Sequence, residues 1–354
     1  MSLPLPSTTP PAAADHRLPL LLEWLATLDL VRPETARPAS ADASFRRYFR
    51  VDVLPAAQAT HGLAPTLIVM DAPPARENVP AFLKVAQLFG AAGVSVPAIV
   101  AQHLEHGFLL LSDLGTTTYL QELNLDTASV MYAEALEALT RIQLASQPGV
   151  LPDYDRAFLL RELNLFPEWY INQHLGLQLS VAQRAKLDGV FDALLANVTA
   201  QQRVYVHRDY HSRNLMVMDE ANPGILDFQD ALYGPMTYDL ASLLRDAYVQ
   251  WDEEMVLDWV IRYWQRAKQL GLPVNPDIDA FYRDFEFMAL QRHLKILGIF
   301  TRLYHRDGKA MYLADVPTVL DYVRKTAGRY KELRPLVHLL DQLEDKQPQV
   351  GYTF

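Results

Sequence analysis

The chain has 354 residues, with 42 acidic and 32 basic side chains, a formal net charge of −10 and no cysteine. This length suffices for one large domain or two ordinary ones, and the acidic balance argues against a nucleic-acid-binding protein, which needs a cationic surface. The lack of cysteine excludes disulfides, thiolate metal sites and cysteine nucleophiles. Neither G-x-G-x-x-G nor G-x-x-x-x-G-K occurs, which excludes dinucleotide and Walker-type phosphate loops in their usual form.

We expect no targeting signal at the start of the chain. Residues 1–15 are rich in proline and lack the cationic region of a signal peptide, which predicts a disordered lead-in. The most apolar stretch, residues 85–101, contains polar residues and a proline, and it falls short of the roughly 20 apolar residues that a membrane span needs. We expect a soluble, cytoplasmic protein with no membrane partner.

Residues 16–113 predict an N-lobe in which a helix packs on a small, mostly antiparallel sheet. Apolar residues at helical spacing predict helices over residues 17–30 and 78–92. Short β-type runs bounded by turn residues predict four strands. These strands are residues 45–53, 66–70, 98–101 and 108–112.

Residues 114–354 predict a larger, mostly helical C-lobe, which makes the fold class α+β with a boundary near Asp113. A strand-and-loop block over residues 204–228 interrupts the helical pattern. Apolar residues recur at 3.6-type spacing on either side of this block. The predicted helices are residues 128–145, 155–175, 180–198, 237–249, 252–270, 277–303 and 317–346.

The strongest chemical signal lies in residues 204–227. An H-R-D triplet ending at Asp209 is followed by Asn214, and Asp227 comes after a second short apolar run. This spacing is typical of the catalytic loop and metal-binding Asp of protein-kinase-like enzymes. A carboxylate at Asp209 can orient the proton of an attacking hydroxyl, while Asn214 and Asp227 offer the hard oxygen ligands that Mg²⁺ prefers.

Two other interpretations of this block stay open. The first is a surface turn with incidental polar residues. The second is a zinc pair formed by His207 and His211, although no third ligand occurs at a zinc-like spacing. We expect His207 to bond backbone near Asp227 instead.

The second lobe resembles the aminoglycoside phosphotransferase and choline kinase-like family. It is most similar there to the bacterial cell-wall amino-sugar kinases, which phosphorylate the anomeric hydroxyl of N-acetylmuramate and N-acetylglucosamine. The resemblance implies a bilobal protein-kinase-like fold, ATP and Mg²⁺ as cofactors, Asp209 as catalytic base, Asn214 and Asp227 as magnesium ligands, and a role in peptidoglycan recycling. The matching segments are VHRDYHSRNLMV (206–217), GILDFQDALYGPMTYDLASLLRDAYV (224–249) and LKILGIFTRLYHRDGKAMYLADVP (294–317).

The first lobe departs from that family in how it would hold phosphates. Residues 1–185 contain a single lysine, Lys84, and the strand expected to carry an anchoring lysine has none. We expect arginines near a turn at residues 41–44 to replace it, with Glu77 as a partner, since guanidinium forks pair well with phosphate. A solvated arginine face is the alternative. The last strand resembles a hinge whose backbone would bond adenine. The predicted nucleotide-binding residues are Ser44, Phe45, Arg46, Arg47, Arg50, Ser112 and Asp113.

The acceptor site is predicted from residues of the second lobe. Arg213, inside the catalytic loop, is placed to orient an anionic or polar acceptor. Aromatic residues of the segment 158–170 could hold a sugar, although aromatics at helical spacing more often pack in a core. The predicted substrate-binding residues are Arg213, His211, Glu162 and Trp169.

A cationic stripe in the last third of the chain bears on the nature of the acceptor. The stripe would suit a carboxylate such as the lactyl group of N-acetylmuramate, whereas a solvated helix face gives the same pattern. Its members are Arg292, Lys295, Arg302 and Arg306.

We therefore predict an ATP-dependent amino-sugar 1-kinase whose partner is a small-molecule amino sugar. An aminoglycoside, choline or another small alcohol is the alternative acceptor within the same fold. The missing strand lysine also allows a different class, a pseudokinase or nucleotide-binding scaffold, but the joint presence of Asp209, Asn214 and Asp227 argues against it. The sequence makes no prediction of oligomeric state.

Overall fold

The computed structural model describes residues 15–40 and 45–344. The chain divides into two units, one formed by residues up to Pro80 with Pro97–Asp113, and the other by Ala81–Val96 with residues from Leu114 onward. The predicted lead-in, apart from Asp15, and the predicted turn at residues 41–44 lie outside the described residues.

An antiparallel sheet of five strands is the centre of the first unit, and this confirms the predicted sheet. Two helices accompany it, α1 (Arg17–Ala26) and α2 (Pro55–His61). The strands are β1 (Val31–Ser40), β2 (Arg47–Val53), β3 (Thr66–Asp71), β4 (Ile99–His103) and β5 (Phe108–Ser112). Their order across the sheet is β1-β2-β3-β5-β4.

Alternation along the strands builds the core of this unit. Successive side chains of a strand point to opposite faces, so every second residue can be buried against α1. Leu21 and Leu25, one turn apart on α1, are buried with residues of β1, β2, β3 and β5. The strand residues of this core are Val31, Val51, Val53, Leu67, Val69, Phe108 and Leu110.

Three elements of the first unit differ from the sequence prediction, and one of them is α2, which we did not predict. The first helix ends at Ala26 rather than at residue 30, and the chain then enters β1, which we did not predict. β1 contains Pro33 and Pro38 and lacks a polar–apolar alternation. It lies at the sheet edge and pairs with β2 through an irregular register, and an edge position is where a strand tolerates proline.

Helices dominate the second unit, with two short ribbons between them, β6 paired with β9 and β7 paired with β8. The strands are β6 (Arg203–Val206), β7 (Leu215–Met216), β8 (Gly224–Ile225) and β9 (Leu232–Pro235). The helices are α3 (Val79–Ala91), α4 (Tyr119–Glu122), α5 (Ala128–Leu144), α6 (Arg156–Leu163), a π-helix (Phe166–His174), α7 (Val181–Ala200), α8 (Tyr238–Leu244), α9 (Glu253–Gln269), α10 (Ile278–Asp307), a 3₁₀-helix (Ala310–Asp315), α11 (Val316–Arg329) and α12 (Arg334–Leu343).

Most of α3 groups with the second unit, whereas we expected residues 16–113 to form the first lobe without interruption. The ring centroids of Phe82 and Phe89 lie 4.8 Å and 6.0 Å from that of Phe228. Phe89 also stacks on His207 at 6.2 Å. This buried aromatic packing ties α3 to the segment that carries the H-R-D triplet.

The long helix α10 is the central element of the second unit. A Cβ on Gly298 would come 2.5 Å from the carbonyl oxygen and 2.6 Å from the Cβ of Leu165, so only glycine permits this close approach. The approach sets α10 beside the π-helix. The predicted helix 155–175 is divided there into α6 and the π-helix, with Pro167 in the first turn of the latter, where a missing N–H is tolerated.

The predicted helix 317–346 is likewise divided, between Arg329 and Arg334, and Pro335 opens α12. Across the part of the chain that the structure describes, the helices lack the combination of length and apolar character that membrane spanning requires.

Candidate active site

His207 holds the predicted catalytic loop, residues 207–214, to the neighbouring ribbon. Its buried ring places Nε2 2.9 Å from the Leu226 carbonyl oxygen, and its Nδ1 accepts the Asp209 backbone N–H at 3.2 Å. These partners require a neutral imidazole with the proton on Nε2, and burial lowers the pKa of His207 to about 4. The predicted backbone role of His207 is confirmed, and neither ring nitrogen is left for a zinc ion.

Asp209 presents a partly exposed carboxylate at the end of this loop. Its side chain is 40% exposed, and one oxygen lies 3.8 Å from Nη1 of the buried Arg292. Burial raises the pKa of Asp209, but the positive charges of Lys295 and Arg292 outweigh it and hold the pKa well below its ordinary value. The carboxylate is therefore ionised at neutral pH and can accept a hydrogen bond from a hydroxyl.

Asp239 braces the backbone of the loop from the first turn of α8. Its carboxylate accepts the N–H groups of His207 at 2.6 Å and of Arg208 at 2.9 Å. Arg208 has φ 81°, a left-handed conformation that costs about 1–3 kcal/mol outside glycine, and Arg292 donates to its carbonyl oxygen at 2.6 Å. Burial raises the pKa of Asp239 to about 7. No local sequence pattern indicates this long-range role of Asp239.

Asn214 and Asp227 lie at the same end of the β7–β8 ribbon. Leu215 pairs with Ile225, and the Leu226 N–H donates to the Asn214 carbonyl at 2.9 Å. The side-chain amide of Asn214 donates to the Asp209 carbonyl at 2.9 Å, which leaves its Oδ1 for a ligand. Gln229 donates to the Asp227 carboxylate at 2.9 Å.

This donor set fits a magnesium ion that is shared with phosphate. Mg²⁺ takes one or two protein oxygens and completes its shell with phosphate and water oxygens, and Asn214 and Asp227 supply an amide oxygen and a carboxylate. No group of three or more His, Asp or Glu side chains comes together as a metal cage among residues 15–40 and 45–344.

A buried charge cluster lies behind the loop, and it contains Glu162. One carboxylate oxygen of Glu162 lies 2.7 Å from Arg208 and 3.1 Å from Lys295 Nζ, and Tyr154 donates its hydroxyl to the other oxygen. Burial raises the pKa of Glu162, but the positive charges of Lys295 and Arg208 outweigh this effect and hold the pKa below its ordinary value. Both carboxylate oxygens are bonded inside the protein, which favours a structural role for Glu162, and its substrate contact stays a prediction.

The other predicted acceptor residues divide between two places. Arg213 lies with its guanidinium 3.6 Å from the ring centroid of Tyr248, and His211 packs edge-on against the same ring at 5.4 Å. Asp315, in the 3₁₀-helix, lies 4.0 Å from Arg213. Trp169 is half-buried in the π-helix instead. Tyr248 and Asp315 were missed as individual residues, although both fall inside the segments that carried the family resemblance.

The cationic stripe of α10 is not a uniform solvated face. Arg292 and Lys295 are buried and bonded within the second unit, whereas Arg306 is exposed and pairs with Asp307 at 2.7 Å. Periodicity identified the stripe but could not distinguish its buried half.

In the first unit, Arg46 and Glu77 form the expected pair. Arg46 is buried, its Nε lies 3.4 Å from Glu77, and the Phe45 N–H donates to the same carboxylate at 3.2 Å. The Phe45 ring is 57% exposed and lies under Arg76 at 4.4 Å.

The remaining predicted nucleotide-binding residues of the first unit already have internal partners. Arg47 lies 2.5 Å from Asp71 and also pairs with Asp15. Arg50 lies 2.5 Å from Asp113. Arg47 and Arg50 are thus paired with carboxylates of the same unit. The nucleotide roles of Arg46, Arg47 and Arg50 stay predictions.

The end of β5 was predicted as the hinge that bonds adenine. The Ser112 backbone N–H donates to the Ala98 carbonyl at 2.9 Å, and its hydroxyl accepts the Ala98 N–H at 2.8 Å. The carboxylate of Asp113 accepts from Arg50 and from the Thr66 hydroxyl. The hinge role of Ser112 and Asp113 stays a prediction, and Ser44 lies outside the described residues.

Comparison with known proteins places this site in a family. The profile of the phosphotransferase enzyme family matches residues 35–272. An N-acetylmuramate/N-acetylglucosamine kinase of Neisseria meningitidis is 48% identical over 94% of this chain and 98% of its own length, and one of Pseudomonas aeruginosa is 49% identical over 88% and 90%. A solved ethanolamine kinase of Plasmodium vivax shares the fold, with a TM-score of 0.61 at 12% identity over 86% of this chain and 87% of its own. The chain belongs to the phosphotransferase enzyme family and has its protein-kinase-like fold.

Proposed function

We propose that this protein is an ATP-dependent kinase that phosphorylates the anomeric C1 hydroxyl of N-acetylmuramate and N-acetylglucosamine. One loop carries the proposal. Its Asp209 is ionised and 40% exposed, and the Asn214 and Asp227 that follow lie at the same end of the β7–β8 ribbon. Relatives that are 48% and 49% identical and named for these two sugars support the choice of acceptor.

Asp209 acts mainly by orientation in this proposal. Its carboxylate accepts the hydrogen bond of the C1 hydroxyl and points the oxygen at the γ-phosphorus in line with the leaving group. Because its pKa is held low, it takes up the proton late, once the new O–P bond has acidified the hydroxyl. Phosphoryl transfer is loose, so such positioning supplies much of the catalysis.

Mg²⁺, when bound, would neutralise charge on the ATP phosphates, with Asn214 Oδ1 and the Asp227 carboxylate as its protein ligands. The protein contributes the rigidity of these ligands. Asn214 is fixed by its bond to the Asp209 carbonyl, and Leu226 ties the two strands just before Asp227. Catalytic groups held in this way lose little entropy on reaching the transition state.

The Arg46–Glu77 pair of the first unit is our candidate for the group that replaces the missing phosphate-anchoring lysine. Protein kinases require a Lys–Glu pair of the same charge types for activity, and Arg46 is buried against Glu77 here.

We place the enzyme in the cytoplasm, where ATP is available, and in the reuse of peptidoglycan sugars.

A panel of acceptors tests the proposal. The purified protein is incubated with ATP and Mg²⁺ and with N-acetylmuramate, N-acetylglucosamine, kanamycin or choline, and ADP release is measured. We expect ADP release with the two amino sugars alone. Turnover of kanamycin or choline in their place would establish the alternative acceptor, and silence on all four would favour a nucleotide-binding scaffold.

A further inference from the structure

The side chain of Arg213 projects from the same tight turn as the carboxylate of Asp209. The His211 N–H donates to the Asp209 carbonyl at 3.1 Å, and the Asn214 N–H donates to the His211 carbonyl at 2.9 Å. These bonds fold residues 209–214 into consecutive turns. The Arg213 side chain therefore begins four residues from Asp209 and directly before a proposed magnesium ligand.

An aromatic wall fixes the position of the Arg213 guanidinium. It lies 3.6 Å from the ring centroid of Tyr248. The Tyr248 ring stacks on Phe300 at 6.1 Å, and Phe300 contacts Tyr312 at 5.2 Å. Stacking on a ring restrains a guanidinium without using its N–H donors.

The donors of Arg213 are not consumed by the protein. Within residues 15–40 and 45–344, no acceptor hydrogen-bonds its guanidinium, and the nearest paired carboxylate oxygen, on Asp315, is 4.0 Å away. By contrast, Arg208 and Arg292, which flank the same loop, bond to Glu162 and to a backbone carbonyl. The Arg213 side chain is also 36% exposed, so a ligand can reach it.

N-acetylmuramate differs from N-acetylglucosamine by a lactyl ether that carries a carboxylate. A guanidinium binds a carboxylate through two parallel hydrogen bonds, and it has no equivalent partner on the neutral sugar. We infer that Arg213 binds the lactyl carboxylate of N-acetylmuramate and thereby sets the preference between the two acceptors. This inference rests on the proposed function.

Arg302 on α10 is the rival cation. Its Nε is buried and has no hydrogen-bond partner within residues 15–40 and 45–344, and burial together with the charge of Arg306 lowers its pKa. It lies ten residues beyond Arg292, however, which is about 15 Å along the helix axis. The charges that act on it are those of Arg306, Asp307 and Glu168, so Arg213 is the cation that belongs to the catalytic loop.

The test is kcat/KM for both sugars in Arg213→Gln, Arg213→Lys and a matched control, Arg161→Gln. Arg161 is exposed on α6 with its guanidinium over the Phe158 ring at 4.9 Å, so the control removes a stacked arginine elsewhere. We expect R213Q to lower kcat/KM for N-acetylmuramate about 10- to 100-fold, the value of a charge-assisted bond. N-acetylglucosamine should change less than about threefold in R213Q, and R161Q should change neither sugar appreciably, because no bond to the acceptor is removed in either case.

An uncharged analogue of the substrate tests the same contact by changing the sugar instead of the protein. The lactyl amide of N-acetylmuramate should be a poorer substrate than the acid for the wild type, and the two should be equivalent for R213Q. R213K, which keeps the charge without the fork, should fall between the two enzymes.

Two results would overturn the inference while leaving the proposed function intact. One is equal loss on both sugars in R213Q, and the other is a selective loss of N-acetylmuramate turnover in Arg302→Gln with R213Q unchanged. A wild-type enzyme that phosphorylates neither sugar would refute the proposed function and the inference together.

Discussion

Glu162→Gln separates a structural role of this carboxylate from the acceptor role that the sequence indicated. In the structure, Glu162 is 8% exposed and lies between Arg208 at 2.7 Å and Lys295 at 3.1 Å. Replacement by glutamine removes the negative charge and leaves the buried Lys295 and the largely buried Arg208 facing a neutral amide. Removing one partner of a buried ion pair costs about 3–5 kcal/mol, so we expect E162Q to lose that much free energy of unfolding.

The assay is urea unfolding followed by circular dichroism and tryptophan fluorescence, with linear extrapolation to water. The matched control is Glu332→Gln, whose carboxylate is 37% exposed and pairs with Arg283. An exposed ion pair contributes about 0–1 kcal/mol, so the control should stay near the wild type. The KM for either sugar should be unchanged in E162Q, because both oxygens of Glu162 are bonded inside the protein.

Two results would refute this reasoning. An E162Q variant within about 1 kcal/mol of the wild type would show that the charge cluster does not stabilise the second unit, since that is the range of exposed pairs. A stable variant with a raised KM for the sugar would restore the acceptor role of Glu162.

Three further predictions concern the second unit. Burial lowers the pKa of His293 to about 3, so its neutral form stabilises the fold above pH 6.5 and this stability is lost as the pH falls. The free energy of unfolding at pH 5 relative to pH 7.5 should drop about 2 kcal/mol less in His293→Gln than in the wild type, and equal drops would contradict this. Gly298→Ala should cost about 1–3 kcal/mol in urea unfolding because its Cβ meets Leu165, whereas Gly189→Ala, which meets nothing within 4 Å on α7, should stabilise by about 0.5–1 kcal/mol. Asp239→Asn should lower kcat about 10- to 100-fold with KM unchanged, because an amide has one acceptor oxygen for the two N–H groups that the two carboxylate oxygens accept, and wild-type kcat would contradict the bracing role.

The geometry of residues 207–227 was predictable in part because the ribbon contacts of this segment are local in sequence. Asp209, Asn214 and Asp227 lie within one short segment, and the apolar runs between them specify the ribbon that brings Asn214 and Asp227 to one end. The backbone role of His207 follows from the same segment. Spacing alone was sufficient to predict this ribbon, whereas Asp239 and Arg292, which brace the loop, lie 31 and 84 residues from Arg208.

The partners of the arginines could not be predicted, because they come from distant parts of the chain. Arg47 and Arg50 pair with carboxylates 24 and 63 residues away, and Arg292 donates to a carbonyl 84 residues away. Helical periodicity predicts the stripe on α10, but burial of Arg292 and Lys295 depends on which elements pack against that face. β1 was missed for a different reason. Its two prolines break the residue pattern by which a strand is recognised, although a strand at the edge of a sheet tolerates them.

The central claim is that Asp209 directs phosphoryl transfer to the anomeric hydroxyl, and ³¹P and ¹H NMR of the product from ATP, Mg²⁺ and N-acetylglucosamine tests it most directly. The account predicts a phosphate coupled to the anomeric proton, with the reducing end lost, and no product from a folded Asp209→Asn variant. A phosphate on another sugar hydroxyl, or product formed by D209N at the wild-type rate, would contradict it.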